Sequence, residues 1–538
     1  MRRRIKIILV CLAVAVVVTI AAVAGVKTWL AHGHVDVVTK PRTGTSIAAD
    51  QKVADFEYLR TILKENFPYF AVKKRNLGID WLSRSSEFEA DLRATPDDAS
   101  YFLELTRIVS LIQNAHTQVC TPDEMAYYAS YYSGVTPWGQ VLWNTNVLDW
   151  YDYWQRVLPK NSRTNLPVLF QYVDGAYVAE SSYGGAPLPS EVSLGSVLTA
   201  VDGVPVNDYV RSLGDTMPLA HDYDRNLSIL PQLYLYGDPG KQHTVGLLTP
   251  TGVSISVVLK AVDPTMAQGK YQPNVTTAVL DGGDIAYLGI RSLTHQAVES
   301  DQDTILSFLK ENRTAKALIV DIRGNGGGDD TYWVQNLVAP LLCTPMTAVM
   351  TVGLPSGAYS APFMRNKLGM LWFRRRTPSQ LADQKGFKPE LYAGATSFFR
   401  WPLTVSPKEP VGFSERVFLL VDDCMYSSAE SFAVWAKATG WATLVGTRTR
   451  GDGIGFDPGV VALPNSGIVV RFTEDMGINP DGSVNEESQT VPDVVVQQTV
   501  ADERMRLKLM ASDPTGVDVA HWLPGDAVLK KAIELAKN

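Results

Sequence analysis

Ala317-Leu-Ile-Val-Asp321 runs directly into Ile322-Arg-Gly-Asn-Gly-Gly-Gly328. A short, mostly apolar run that ends in a polar, glycine-rich turn suits a strand buried on both faces of an α/β sheet. Val417-Phe-Leu-Leu-Val421 repeats the pattern. It leads into Asp422-Asp-Cys-Met-Tyr-Ser427-Ser428-Ala-Glu430 and a helical stretch over Ser431–Ala438. Active sites in α/β sheets often form at such strand ends. The two runs predict an α/β core over residues 275–500 with its chemistry at these two turns.

Upstream of the core, residues 166–262 read as β-rich. Leu194 to Val206 gives a strand, an Asp202-Gly203 turn and a short strand, and Asp208–Leu213 gives a helix. Residues 51–165 read as a helical N-terminal region. In Tyr101–His116, apolar Leu105, Ile108, Val109 and Ile112 recur at helical spacing and carry the helix on to His116. Residues 123–165 are dense in Tyr and Trp, which fits a helical hairpin packed on a neighbour or an element that covers a substrate. Downstream, residues 501–538 form a helical tail ending in an amphipathic helix over Ala527–Asn538. Arg365–Glu409, basic and Pro-containing, reads as a surface insertion.

The first 30 residues hold five bases and no acid, and Ile7–Val26 is a run of 20 residues without charge. About 20 apolar residues suffice to span a bilayer as a helix. The basic cluster precedes the run, so an N-terminal transmembrane helix at 1–30 would leave the body outside the cytoplasm at the cell membrane, on a stalk at 31–50. A cleaved signal peptide is the rival, since Ala22-Val23-Ala24 supplies small residues of the cleavage type. The rest of the chain carries 44 basic and 56 acidic residues, which argues against nucleic acid as a partner. Beyond Cys11, only Cys120, Cys343 and Cys424 remain, too few and too scattered for a zinc pattern or a disulfide framework.

Three patches could do chemistry. In the glycine-rich turn, backbone N–H groups can face a ligand with no Cβ in the way. The dinucleotide pattern fails there, because Asp329 stands where its third glycine belongs, and no Walker lysine follows. An oxyanion hole or a plain tight turn remains. Ser427 sits between strand and helix, as in a nucleophile elbow. Ser427-Ser-Ala-Glu430 is also the spacing of a capping box, with Ser427 as N-cap and Glu430 reaching back. His116, in Asn114-Ala-His116-Thr117, is one of seven histidines and suits the base that a serine hydroxyl needs. A buried structural histidine is its ordinary alternative. Glu486 and Glu487, just before Pro492-Asp493, offer a carboxylate to orient an imidazole, or are solvated surface acids.

In order along the chain, these segments resemble peptidase family S41, the serine peptidases that include tail-specific and tricorn-type proteases. Ile112–Thr117 is similar to the family's Leu-x-Asp-x-His-Thr, with Asn114 in the aspartate place. Ala317–Gly328 is similar to its strand ending in Asp-x-Arg-Gly-Asn-x-Gly-Gly. Val417–Glu430 is similar to its nucleophile segment, followed by Leu444-Val-Gly446, Gly451-Asp-Gly453 and Pro492-Asp493. The resemblance covers roughly residues 52–500, with 166–262 similar to the second half of a PDZ domain, and implies a core of the ββα-spiral (ClpP/crotonase-like) type. Tail-specific members use a Ser–Lys dyad, but Asp452 stands at the lysine position, and no lysine lies between Lys437 and Lys508. The tricorn-type branch implies Ser427 as nucleophile, His116 as base and Glu486 as orienting acid, with Glu487 its competitor. Gly327 and Ser428 become the oxyanion donors. Ala115 replaces that branch's relay serine. The implied reaction is hydrolysis of a peptide or protein substrate with no metal or organic cofactor. A binding protein on the same scaffold, an ester or acyl hydrolase, and catalysis by Cys424 are the alternatives.

Overall fold

The computed structural model describes residues 25, 33–159, 164–181, 188–237, 241–261, 273–381, 384, 386–513 and 518–538. The apolar run at 7–26 lies outside them except for Gly25. Among the described residues no helix is long and apolar enough to cross a membrane. The chain folds as two compact units. One gathers Met1–Pro159, Val352–Phe399 and Phe456–Met476; the other gathers Lys160–Thr351, Arg400–Gly455 and Gly477–Asn538. The stretch read as a catalytic core thus contributes to both.

The first unit is helical, with helices Ala49–Asn66, Phe70–Leu77, Ser85–Ala94 and Asp98–Ser110. The last starts at Asp97, whose carboxylate accepts from the Ser100 amide at 2.7 Å, a regular N-cap. It buries Tyr101, Phe102, Leu105, Ile108 and Val109, the spacing of one helical face. This helix stops at Ser110 and does not reach His116. Gln113 has φ 58°, a left-handed conformation that no α-helix accommodates. Beyond it the chain enters the strand Gln118–Val119, which pairs antiparallel with Val469–Phe472.

The aromatic segment forms helices Pro122–Tyr131, Pro137–Leu142 and Thr145–Val157. Several of its rings are buried and bonded within the unit, whereas Tyr127, Tyr131 and Trp143 are exposed. Trp138 Nε1 donates to Pro458 O at 2.7 Å, and Trp154 Nε1 to Ser466 O at 3.0 Å. The expected surface insertion is corrected in part. Leu368, Leu381, Tyr392, Phe398 and Phe399 are buried, and Ser397–Val405 is a strand.

In the second unit, six strands run in the order Ser254–Lys260, Gln242–Leu248, Val197–Val201, Ala176–Ser181, Thr164–Val173, Gln232–Gly237. Each is antiparallel to its neighbours. Asp202 (φ 51°) and Gly203 (φ 80°) make the expected turn, followed by Val204–Pro205 and the helix Val206–Leu213.

The α/β core of this unit is a six-stranded sheet in the order Val275–Leu280, Ile285–Ile290, Ala317–Asp321, Arg416–Val421, Thr443–Gly446, Val494–Val495. Only the first pair is antiparallel. The two apolar runs that predicted the sheet lie side by side, with Ala317 opposite Arg416. Parallel strands carry both following turns to the same end of the sheet. The tail helix Ala527–Lys537 covers one face through Val528, Leu529 and Ala532. Arg323, in the glycine-rich turn, donates to Asp526 at the start of that helix (3.0 and 2.7 Å) and to Asp321 (2.6 Å).

Candidate active site

Ser427 occupies the junction between the strand Arg416–Val421 and the helix Ser428–Thr439, at φ 57° and ψ −125°, and its side chain makes no cap hydrogen bond. The capping-box reading is therefore corrected. Glu430 does not reach back. It is fully buried, and its Oε1 accepts from Asn485 Nδ2 at 2.8 Å and Thr490 Oγ1 at 2.6 Å. A non-glycine residue held at positive φ costs on the order of 1–3 kcal/mol and is retained where the surroundings over-determine it. That is the backbone expected of a nucleophile elbow.

The glycine-rich turn meets this elbow. Gly327 lies at φ 102°, and a Cβ built there would fall 2.6 Å from Tyr426 O and 2.9 Å from both Ser427 Cβ and Ser428 N. No side chain fits, so the contact itself requires glycine. Gly327, Ser427 and Ser428 are thereby brought together. The Gly327 N–H donates to Asn325 Oδ1 at 2.9 Å, and Asn325 is fully buried. Ser428 N–H is one of the first-turn donors that a helix leaves without an intrahelical acceptor. Behind it, Asp330 accepts from Ser431 Oγ at 3.1 Å.

Glu486 lies on the one-turn helix Asn485–Ser488 and is half-buried, as is Glu487. Burial, then the charges of Asp452 and Glu486, push the Tyr426 phenol well above its usual range. Glu486 thus acts on Tyr426, the residue next to Ser427. Glu487 offers its backbone carbonyl to Tyr223 Oη. Asp452, at the position where a dyad would place lysine, accepts from Tyr426 Oη at 2.7 Å.

His116 belongs to the first unit, whereas Ser427, Ser428, Gly327 and Glu486 belong to the second. Its turn is built on Asn114, which is buried. Asn114 Oδ1 accepts from the His116 amide (3.2 Å), Thr117 Oγ1 (2.8 Å) and Thr473 Oγ1 (3.0 Å). Asn114 is therefore a fixed scaffold for the histidine's backbone. Asn325, Asn485 and Asp330 are positioning residues that sequence reasoning missed. Only the Asn325-Gly-Gly pattern hinted at one of them.

Cys120, Cys343 and Cys424 are free thiols. Burial and the adjacent Asp422 and Asp423 push the Cys424 thiol well above its ordinary range. A thiolate nucleophile needs the opposite. A cavity of about 1270 Å³ opens in the second unit, walled in part by Asp222, Arg225, Asp422, Asp423, Arg448 and Gln489; Ser427 and Gly327 are not in its wall.

Residues 284–496 match the model of peptidase family S41. No curated protein matches the chain by sequence. Among solved structures, mature CPAF complexed with lactacystin is 17% identical, with a TM-score of 0.57 over 89% of this chain and 99% of that one. Mature CPAF alone is 16% identical (TM-score 0.55, 89% and 99%). A CPAF mutant is 16% identical (TM-score 0.59, 91% and 98%). At such identities the likeness establishes the shared fold. The matched segment spans both the glycine-rich turn and the serine elbow, so over residues 284–496 the chain carries a segment of the serine-type peptidase family S41.

Proposed function

We propose that this chain hydrolyses peptide bonds outside the cytoplasm by a Ser-His-Glu mechanism. The observation that carries the reading is the backbone of Ser427, held at φ 57° without a cap hydrogen bond and pressed against Gly327. Ser427 Oγ attacks the scissile carbonyl carbon as His116 takes its proton. The oxyanion is received by the Ser428 and Gly327 N–H groups, the latter exchanging Asn325 Oδ1 for the substrate oxygen. Collapse expels the amine, which leaves with the proton from His116, and an acyl-enzyme on Ser427 remains. Water, deprotonated by His116, then releases the acid. Glu486 orients the imidazole and stabilises its charged form. Donors fixed in this way are worth about 3 kcal/mol each in the transition state.

The Ser–Lys alternative has no lysine at the required place, since Asp452 is there and is bonded to Tyr426. Placement outside the cytoplasm rests on the basic cluster Arg2–Arg4 ahead of the uncharged run 7–26. The test is incubation of the protein and its Ser427→Ala variant with unfolded protein, new peptides being followed by mass spectrometry. Cleavage by the parent alone supports the reading. Equal cleavage by both excludes Ser427 as nucleophile. Turnover of esters but not peptides would move the substrate class to acyl compounds.

A further inference from the structure

We propose that the segment Gly369–Arg376 of the first unit docks onto an anionic lipid surface, independently of any bilayer-spanning segment. The helix Ala361–Leu368 faces inward with Phe363, Met364 and Leu368. At its end the chain makes the short 3₁₀ turn Gly369–Arg374, which buries no residue. Met370 is 50% exposed, Leu371 38% and Phe373 60%. Arg374, Arg375 and Arg376 follow at once, all exposed. Apolar side chains presented beside arginines match the boundary of a bilayer, where apolar groups enter the acyl region and cations meet headgroup phosphates.

The turn is held in this presentation by its own bonds. Arg375 Nε donates to Trp372 O at 3.0 Å, and its guanidinium lies over the Trp372 ring, 3.3 Å from the centroid. Arg376 N donates to Phe398 O at 2.7 Å, and Phe398 N returns the bond to Arg376 O at 2.7 Å. Phe398 is buried, so the base of the turn is anchored while its tip projects.

Two observations select a lipid surface over other occupants. The first is charge. Residues 354–381 carry five bases and no acid, on a chain of net charge −7. The N-terminal 30 residues also carry bases and no acid, so the arginines repel the basic end of that segment. The second is position. Gly33, seven residues after the uncharged run 7–26 ends, packs on the same helix. A Cβ built on it would lie 3.1 Å from Pro362 Cβ and 3.4 Å from an Arg365 guanidinium nitrogen. Gln140 Nε2 donates to Gly33 O at 3.0 Å and to Val135 O at 3.3 Å, and Val135 is itself 56% exposed. The helix from Pro362 to the exposed turn is only about 10 Å long. Gly33, where the described chain resumes, therefore lies on the helix that leads into the arginine turn.

The test is hydrogen exchange of the full chain in neutral detergent, in phosphatidylcholine vesicles, and in vesicles that also contain phosphatidylglycerol. The expected result is slower exchange across residues 369–376 only where phosphatidylglycerol is present. High salt, or Phe373→Glu combined with Arg374→Glu, should reverse it, with unchanged exchange elsewhere showing that the variant is folded. Each arginine is expected to contribute roughly fivefold in surface affinity. No slowing with phosphatidylglycerol overturns the inference. Equal protection in all three media also overturns it, and points to the N-terminal segment or a second copy as the cover. Equal protection in both vesicle types overturns the requirement for anionic headgroups.

Discussion

Asn485 Nδ2 donates to Glu430 Oε1 at 2.8 Å, which ties the helix Ser428–Thr439 to the turn that carries Glu486. Asn485 Oδ1 in turn accepts from Gly453 N at 3.0 Å, and Thr490 Oγ1 donates to the same Glu430 oxygen. Asn485, Glu430 and Thr490 are buried, so removing one member leaves unmet polar groups that cost about 1–3 kcal/mol. Asn485→Ala is expected to lower stability by that amount in urea. It should also lower kcat more than it raises KM, because the Glu486 turn loses its tether. Unchanged kcat with reduced stability would confine Asn485 to a folding role.

Ser427 separates two readings that predict opposite signs. An N-cap serine replaced by alanine or glycine lowers stability, alanine by about 1 kcal/mol. A serine strained at φ 57° gains when replaced by glycine, which occupies positive φ without a steric cost. Ser427→Gly is therefore expected to raise stability by about 1 kcal/mol while abolishing peptide hydrolysis. A loss of stability in Ser427→Gly would restore the capping role.

Gly327 and Gly324 make a controlled pair. Both have positive φ, at 102° and 76°. A Cβ on Gly324 meets nothing within 4 Å, whereas on Gly327 it meets the Tyr426 carbonyl at 2.6 Å. Alanine at either position bears a conformational cost of about 1–2 kcal/mol. Only Gly327→Ala should also displace the elbow, with kcat falling by roughly 10²–10³-fold. Equal kcat in the two variants would remove Gly327 from the oxyanion site.

The legible parts of the sequence were those whose cause is local. Ala317–Asp321 and Val417–Val421 declare themselves because a doubly buried strand needs no other signal than a short apolar run. The serine elbow was ambiguous because Ser-x-x-Glu is the spacing of both a capping box and a helix whose glutamate faces inward. The missing Ser427 cap bond and the burial of Glu430 separate them. The helix carrying Ile108 was extended too far because Gln113 and Asn114 end it without glycine or proline, through a left-handed residue and side-chain bonds. The make-up of the units was beyond reach. Residues 352–399 and 456–476 join the N-terminal helices through contacts such as Trp154 to Ser466, more than 300 residues apart.

Asp55 gives the first unit a pH dependence. Burial raises its carboxyl to about 6, although hydrogen bonds from Ser466 and Asn465 oppose the shift. The unfolded chain releases this proton near pH 4, so between pH 4 and 6 the folded state binds more protons, and stability falls as pH rises. Above pH 6 the deficit is constant, on the order of 3 kcal/mol. Asp55→Asn removes the titration and keeps a neutral partner for Asn465. Thermal melts from pH 4.5 to 7 should therefore show the parent losing stability relative to the variant. Parallel curves would place the Asp55 carboxyl in its ordinary range.

Arg323 belongs to the turn that resembles an active-site motif, yet its guanidinium is bound to Asp321 and Asp526. Burial pushes the Asp526 carboxyl up, but the Arg323 charge outweighs it and holds the group below its usual range. Removing one partner of a buried ion pair costs about 3–5 kcal/mol, because the charge left behind is uncompensated. Arg323→Ala is therefore expected to destabilise the second unit by that amount. Asp526, with its folded pKa depressed, contributes stability above its unfolded pKa and loses it as pH falls through the folded value. In Arg323→Ala this acid dependence should shrink. Arg323→Met paired with Asp321→Asn and Asp526→Asn, which leaves no charge stranded, should recover most of the loss. If the triple variant is as unstable as Arg323→Ala, the contribution of Arg323 lies in its packing against the tail helix and not in its charge.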